Sequence, residues 1–350
     1  MLYIKGRSSE GNLGALANNK MRVAINGFGR IGESVFKILL ERKVKIVAIN
    51  AVHGIKDAAY LLKYDSVYGR FKGKVSIKGN HLIVNGKKII VLGERNIEKL
   101  PWKKLKVDVV IESTGAFKKK KDLLKHIQSG AKKVAVTTPL GDTDITIVLG
   151  VNHKKLKKSH KIISVASCTT NCAANVAKVL NDNFGIKWAL LSAIHGYTSS
   201  QSLVDSSNER DPRRGRAAAV NMIPTTTGAS KTIVKILPEL KGKIDGSAIR
   251  IPLPDGSMID FVAELKKPFS VKKINESFKK ASKKEMKGII EYSEENLVSS
   301  DILGNPHSAI IDSLMTKAEG NLVKIFAWYD NEYGYASRVA DVLKLLNKLK

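Results

Sequence analysis

Apolar residues first fall into a regular pattern at residues 23–25, which predicts a short buried strand, with a glycine turn at 27–32 behind it. Ile31, Val35, Ile38 and Leu39 then recur at the spacing of one helix face. A second apolar strand is predicted at 44–49, and later strands at 106–112, 133–137 and 145–149, with a helical pattern over 119–128. Strands alternating with helices through short turns imply a largely parallel sheet covered by helices. The texture changes beyond residue 170. A helix from about 170 ends at Gly185, a suitable C-cap, and longer strands are predicted at 188–195, 248–251, 258–265 and 322–329. Residues 331–350 read as a final amphipathic helix.

Residues 1–20 carry little apolar periodicity and no secretory apolar stretch, and they precede Met21 as an expected flexible extension. At 350 residues and 43% apolar, the chain is long enough for two cores. No apolar run approaches the roughly eighteen residues of a membrane span. Two cysteines speak against a disulfide framework and suit a reducing cytoplasm. With no further thiol to complete a ligand set, no metal is expected. Lys and Arg outnumber Asp and Glu by 60 to 32, a net charge of +28 that attracts anions of any kind. The charge is spread along the chain. Its one run of four, 118–121, lacks interleaved aromatics and reads as a solvated helix face, so nucleic-acid binding is not predicted.

Asn26-Gly27-Phe28-Gly29-Arg30-Ile31-Gly32 places G-x-G-x-x-G between a predicted strand and a helix. Gly27 and Gly29 permit a tight turn and close approach of a pyrophosphate, and Gly32 permits close helix–strand packing. In this context the turn predicts a dinucleotide site. An acidic residue that would bind the adenosine ribose is expected at the end of the second strand. That end carries Asn50 and Ala51 instead. A carboxylate about 4 Å from a 2′-phosphate would cost roughly 4 kcal/mol at an effective dielectric near 20, so its absence lifts a bar against NADP.

Ser167-Cys168-Thr169-Thr170-Asn171-Cys172 holds both cysteines. Such a pair suits a redox couple, half of a metal site, or one nucleophile beside a bystander. Cys168 falls where a loop enters a helix, and a helix N-terminus lowers a thiol's pKa. Cys172, one turn on, is expected to be packing. Of seven histidines, His53, His81, His126, His153, His160 and His307 lie in polar stretches and read as surface residues. His195 ends an apolar strand and precedes Gly196-Tyr197-Thr198, a suitable place for a base aimed at a thiol.

The segments A-S-C-T-T-N-C (166–172), N-G-F-G-R-I-G (26–32) and W-Y-D-N-E-Y-G-Y (328–335) together resemble phosphorylating glyceraldehyde-3-phosphate dehydrogenases. The likeness runs from Met21 to the C-terminus through H-G-Y-T (195–198), I-P-T-T-T-G-A-S-K (223–231) and L-P-E-L-K-G-K (237–243). It implies an α/β architecture. A Rossmann-type doubly wound parallel sheet domain would take 21–166 and 331–350. An α+β catalytic domain with a mostly antiparallel sheet would take 167–330. It also implies a homotetramer acting in the cytoplasm.

By the same resemblance Cys168 is the nucleophile and His195 its base. Substrate phosphate would sit on Thr198 and Arg250, with Arg214 as a further candidate. Attacking phosphate would sit on Ser167, Thr227 and Gly228, and Thr169 is a further substrate- or phosphate-binding candidate. Phe28, Arg30, Ile31, Ser113 and Thr137 would border the cofactor. Asn331 would hold the nicotinamide carboxamide and Tyr335 would pack near the ring. Several positions depart from the family's usual pattern. Glu33 replaces an arginine on an expected helix surface, and Ala51 replaces a ribose-binding aspartate. Ser206 and Ser207 stand where NAD-dependent members usually carry a proline, in a loop that reaches a neighbouring subunit's cofactor. Arg95 matches an arginine near the adenine. These departures resemble the NADP-using branches, so NADP, alone or beside NAD, is the expected coenzyme.

The nearest rival is erythrose-4-phosphate dehydrogenase, which hydrolyses its thioester; Thr198, Thr227 and Gly228 favour phosphate as the acceptor. A nucleic-acid-binding protein that has lost its chemistry is the rival from another class. The full set of catalytic side chains speaks against it.

Overall fold

In the computed structural model, residues 21–209 and 211–349 are described, so the expected extension over 1–20 lies outside the described residues. The first part of the chain runs β1 (Arg22–Asn26), α1 (Arg30–Glu41), β2 (Lys45–Asn50), α2 (Ile55–Lys63), β3 (Val75–Lys78), β4 (His81–Val84), β5 (Lys87–Leu92), β6 (Val109–Glu112), α3 (Lys120–Gln128), β7 (Lys133–Val136), β8 (Ile145–Thr146) and β9 (Ile162–Ser164). These strands form one nine-stranded sheet in the order β3-β4-β5-β2-β1-β6-β7-β9-β8. Every pairing from β5 to β8 across it is parallel, and only β3–β4 and β4–β5 are antiparallel. β1 lies between β2 and β6, where the strand order reverses, and Asn26, Asn50 and Glu112 stand side by side at its carboxyl end. That reversal opens a crevice at the strand ends, where such sheets bind ligands.

The second part runs α4 (Cys168–Phe184), β10 (Ile186–Gly196), β11 (Ile223–Thr226), α5 (Ala229–Ile236), β12 (Ile244–Ile251), β13 (Ser257–Leu265), α6 (Val271–Lys283), β14 (Ile290–Ser293), β15 (Ala309–Glu319), β16 (Leu322–Tyr329) and α7 (Tyr333–Lys348). Its seven strands take the order β11-β12-β10-β13-β16-β15-β14, mostly antiparallel. The exceptions are β10–β12 and β14–β15, which pair in parallel. The molecule is therefore α/β, with a parallel-rich sheet and a second, mostly antiparallel one.

Two main cores follow from these sheets. α1 buries Val35, Phe36, Ile38 and Leu39 against β1 and β2, and α7 returns from the second sheet to add Val339, Val342, Leu343 and Leu346 to the same cluster. Complete burial of each such side chain contributes about 1.5–3 kcal/mol. α4 supplies the second core with Cys172, Ala173, Ala174, Val176, Ala177 and Leu180, against Phe261 of β13 and Ile325 of β16. Cys172 is thus packing, as the pattern predicted. The many alanines let α4 approach the sheet closely, which fixes its first turn at the crevice.

Three expectations change. Strand 106–112 is shortened to Val109–Glu112 because Lys106 adopts φ 50° and turns the chain. Strand 145–149 keeps only its first two residues. Glu33 does not lie on a helix surface: it is buried and paired with Lys37 at 2.6 Å, and Lys37 also reaches Asp65 at 3.0 Å. Burial raises the Glu33 carboxyl above its ordinary range. α1 presents this side to the loop after α2, a packing that helix periodicity alone does not reveal.

Candidate active site

The glycine turn has the geometry its sequence required. Gly27 adopts φ +94°, and a Cβ there would lie 2.7 Å from the Thr114 nitrogen. A Cβ on Gly32 would stand 2.1 Å from the Gly27 carbonyl oxygen, so α1 can pack only on glycine here. Among the described residues, Gly29 faces open space and no side chain caps the first turn of α1. Backbone N–H groups at a helix start with room in front of them fit a pyrophosphate. Phe28 turns inward and meets Phe36 edge-on at 5.4 Å. Ser113 Oγ donates to the Gly27 carbonyl at 2.8 Å, so it holds the turn from behind.

Beneath the turn lies a buried polar network. Trp102 Nε1 donates to His126 Nδ1 at 2.9 Å, and His126 Nε2 faces Glu112 Oε2 at 3.0 Å. Because Nδ1 accepts from Trp102, the hydrogen sits on Nε2 and donates to Glu112. Asn26 Nδ2 donates to the same Glu112 oxygen. His126 is fully buried, which corrects its reading as a surface residue. It lies on the inner face of α3, opposite the lysines. Asn50, at the end of β2, joins the same network. It donates to Asn26 Oδ1 and to the Glu94 carbonyl, both at 2.7 Å, so both amide hydrogens are used within the protein. Asn50 braces the turn. Ala51 follows it, nearly buried, with its N–H on the Leu92 carbonyl. Arg95 is exposed in the turn after β5, and Ser206 and Ser207 are exposed in the 199–222 segment. None of these three lines the cleft described next.

A cleft of about 680 Å³ lies where the two sheets meet. Arg30, Ile31 and Thr137 line it from the first sheet. Ser167, Cys168, Thr169, His195, Thr198, Arg214, Thr227, Gly228, Arg250, Asn331 and Tyr335 line the rest. Residues far apart in sequence thus converge on one space.

Cys168 opens α4. Ser167 caps the helix by accepting the Thr170 N–H at 3.1 Å, and its hydroxyl also meets Thr170 Oγ1 at 2.8 Å. Ala166, just before, holds φ 56°, an uncommon conformation for a residue with a Cβ. Tyr335 OH donates to the Ala166 carbonyl at 3.0 Å and secures that bend. Cys168 Sγ lies 3.4 Å from His195 Nε2. On the far side of the imidazole, Nδ1 meets the Gly196 carbonyl at 2.6 Å and Arg250 Nη1 at 2.9 Å. The shorter contact calls for a hydrogen on Nδ1, which turns the Nε2 lone pair towards the thiol.

Electrostatics qualifies the expected thiolate. Burial pushes the Cys168 thiol up to about 11, against Arg250 and Thr169, which lower it. Burial also pushes His195 down to about 3, helped by Arg250 and Arg214. With protein groups alone around it, the pair is therefore a neutral thiol beside a neutral base. The helix N-terminus and Arg250 favour the anion, but withdrawal from water outweighs them.

Anion-binding groups flank this pair. Among the described residues, Arg250 Nε is buried without a hydrogen-bond partner. Arg214 Nη1 donates to Ser200 Oγ at 3.0 Å, and Ser200 meets Thr198 Oγ1 at 2.8 Å. Thr227 Oγ1 accepts the Ala229 N–H, and Gly228 precedes α5, whose first turn has no side-chain cap. Thr169 Oγ1 contacts Tyr329 OH at 2.9 Å, deeper in the wall. Asn331 Oδ1 accepts from Ser257 Oγ at 2.5 Å. Tyr68 and Asp255, which no motif singled out, gather with Asp330 behind Asn331. The W-Y-D-N run contained Asp330, but nothing local tied it to the other two.

Two families match successive parts of the chain. A family described as the glyceraldehyde 3-phosphate dehydrogenase C-terminal domain matches residues 167–331. The corresponding NAD binding domain matches residues 21–120. Among similar proteins, glyceraldehyde-3-phosphate dehydrogenase of Geobacillus stearothermophilus is 50% identical over 325 residues, 92% of this chain and 97% of that one. The Streptomyces coelicolor enzyme is 51% identical over 327 residues, 92% and 97% of the two chains. Glyceraldehyde-3-phosphate dehydrogenase 1 of Bacillus subtilis is 49% identical over 331 residues, 94% and 98%. On this similarity along nearly its whole length, the chain belongs to the glyceraldehyde-3-phosphate dehydrogenase family.

Proposed function

We propose that the chain oxidises glyceraldehyde 3-phosphate with inorganic phosphate to 1,3-bisphosphoglycerate, reversibly, through a thioester on Cys168. The observation that carries this reading is the 3.4 Å approach of Cys168 Sγ to His195 Nε2, beside an unpartnered Arg250 N–H. A bound nicotinamide coenzyme supplies the hydride acceptor. Arg250, Thr198 and Arg214 hold the substrate phosphate; the orphaned guanidinium N–H gains the acceptor it lacks. Cys168 Sγ bonds to the aldehyde carbon, and the thiol proton passes through His195 to the aldehyde oxygen. As hydride leaves that carbon, His195 Nε2 takes the hydroxyl proton, and the thioester remains on sulfur. Ser167, Thr227 and the start of α5 at Gly228 hold inorganic phosphate. Its oxygen attacks the thioester carbon, the carbon–sulfur bond breaks, and the thiol recovers a proton.

The glycine turn fits the pyrophosphate of the coenzyme, and Asn331 has its NH2 left to donate to a carboxamide because Ser257 occupies its oxygen. NADP is the favoured coenzyme, with NAD also used. What supports this is the absence of a carboxylate at Ala51 and the exposed cation of Arg95. We read the working form as a cytoplasmic homotetramer. Leu203, Val204, Val220 and Met222 are strongly exposed on the 199–222 segment, which would bring Ser206 and Ser207 to a neighbour.

Intact-protein mass spectrometry tests the mechanism. Incubation with aldehyde and coenzyme, without inorganic phosphate, should add one phosphoglyceroyl group at Cys168. The adduct should disappear when phosphate is added. Acylation at another residue, or none, contradicts the reading.

A further inference from the structure

Behind Asn331, one phenol meets two carboxyl groups across the boundary between the sheets. Tyr68, in the loop after α2, places its OH 2.6 Å from Asp255 Oδ2, 2.8 Å from Asp330 Oδ1 and 3.0 Å from Asp330 Oδ2. Both carboxyls are buried, and they close on the same phenol oxygen. The phenol brings one hydrogen and also accepts the Tyr333 N–H at 3.2 Å. The single phenol hydrogen cannot serve two carboxylates at once, and two buried negative charges on one oxygen repel. One carboxyl is therefore protonated, and the cluster holds two hydrogens: the phenol's and one shared by the acids.

The remaining oxygens organise the cleft. Asp255 Oδ1 accepts the backbone N–H of Gly256 at 2.8 Å and of Asn331 at 3.2 Å. Asp330 accepts the N–H groups of Glu332, Tyr333 and Gly304. Ser257 Oγ donates to Asn331 Oδ1 and accepts the Gly196 N–H at 3.1 Å, directly after His195. One hydrogen-bonded frame thus joins the base, Asn331 and the loop of the other sheet.

We propose that the proton shared by Asp255 and Asp330, latched by the Tyr68 hydroxyl, is a positioning element that holds Asn331 and the His195–Gly196 strand end in register for the nicotinamide. This deepens the functional reading above and rests on Asn331 as the carboxamide's partner. Other titratable groups around the pair are Glu332 from the segment before α7, Cys168 from α4, and Asp65 beside Tyr68. Arg30 lies over the Tyr68 ring, bound to Glu332 and Asp65. The surroundings are thus rich in carboxylates. Burial and the second acid raise Asp255 above its ordinary range. Loss of the proton at alkaline pH leaves two like charges on one hydroxyl, and the frame loosens.

The test is NAD binding to the full chain by calorimetry at about pH 6.5 and about pH 9.5, on wild type, Asp255→Asn and Tyr68→Phe. Asn at 255 offers hydrogens at every pH, as the protonated acid does. Wild-type affinity should fall about tenfold between the two pH values, and D255N should stay within about twofold. Y68F should weaken binding about tenfold at both. A wild-type pH slope in D255N, or wild-type affinity in Y68F, overturns the proposal. If D255N does not fold, unchanged affinity in Y68F or a flat wild-type profile overturns it alone, and the opposite pair supports it. Absence of aldehyde turnover with NAD binding intact would instead count against the proposed reaction.

Discussion

Arg250 Nη1 lies 2.9 Å from His195 Nδ1 because the two residues are register partners on the parallel strands β12 and β10. The cation that would hold the substrate phosphate therefore stands against the base itself. It lowers the imidazole's pKa, after burial, and it should do so less once an anion shares its charge.

Removing that cation separates its two effects. Arg250→Gln should weaken KM for glyceraldehyde 3-phosphate by about tenfold to a hundredfold, as expected for loss of charged hydrogen bonds. The same variant should raise the His195 pKa, read by the proton resonances of the ring. A changed KM with an unmoved pKa would detach Arg250 from the base.

The thiol follows from the same balance. With its pKa pushed up to about 11, Cys168 should be alkylated by iodoacetamide at a rate that climbs about tenfold per pH unit from neutral to about pH 9. Cys172, fully buried, should stay unlabelled in the folded protein. A labelling rate that is already flat from about pH 6 would mean that a preformed thiolate exists, and the order of proton transfer given above would be wrong.

His195 also marks the acid side of the stability profile. Its folded pKa lies near 3 and its ordinary value is 6.5, so folding disfavours the protonated ring. The contribution is intact above 6.5 and is lost as pH falls from there towards 3, by at most about 1.4 kcal/mol per pH unit. Melting temperature should therefore fall less steeply between about pH 6.5 and pH 4.5 in His195→Gln than in wild type. Parallel curves would show that the ring is not held neutral.

Coenzyme choice is testable at the end of β2. Ala51→Asp should shift kcat/KM in favour of NAD over NADP by at least about tenfold, since a carboxylate near a 2′-phosphate costs roughly 4 kcal/mol at an effective dielectric near 20. An unchanged ratio would mean that residue 51 does not face the ribose.

The elements that build the cleft were readable where periodicity and motif coincided. β1, the glycine turn and α1 form one continuous signal, and Ser167 at the start of α4 is a cap that its hydroxyl announces. The β3–β5 meander escaped because its outer strand is mostly exposed, although Asn85-Gly86, both at positive φ, marks the hairpin between β4 and β5. His126 escaped because Lys120, Lys121 and Lys125 make the segment read as polar, while the ring itself points at Trp102 and Glu112. Tyr68, Asp255 and Asp330 lie 187 to 262 residues apart for each phenol contact, and only the fold brings them together. Pattern reports an element's own face; it does not report what a loop from another sheet lays upon it.

In the reaction proposed here, Cys168 forms a thioester which inorganic phosphate opens. Coenzyme reduction by glyceraldehyde 3-phosphate, followed at 340 nm with and without inorganic phosphate, tests it most directly. Sustained turnover should occur only with phosphate, with a single equivalent of reduced coenzyme per active site without it, and neither in Cys168→Ser. Equal steady-state rates with and without phosphate would contradict it.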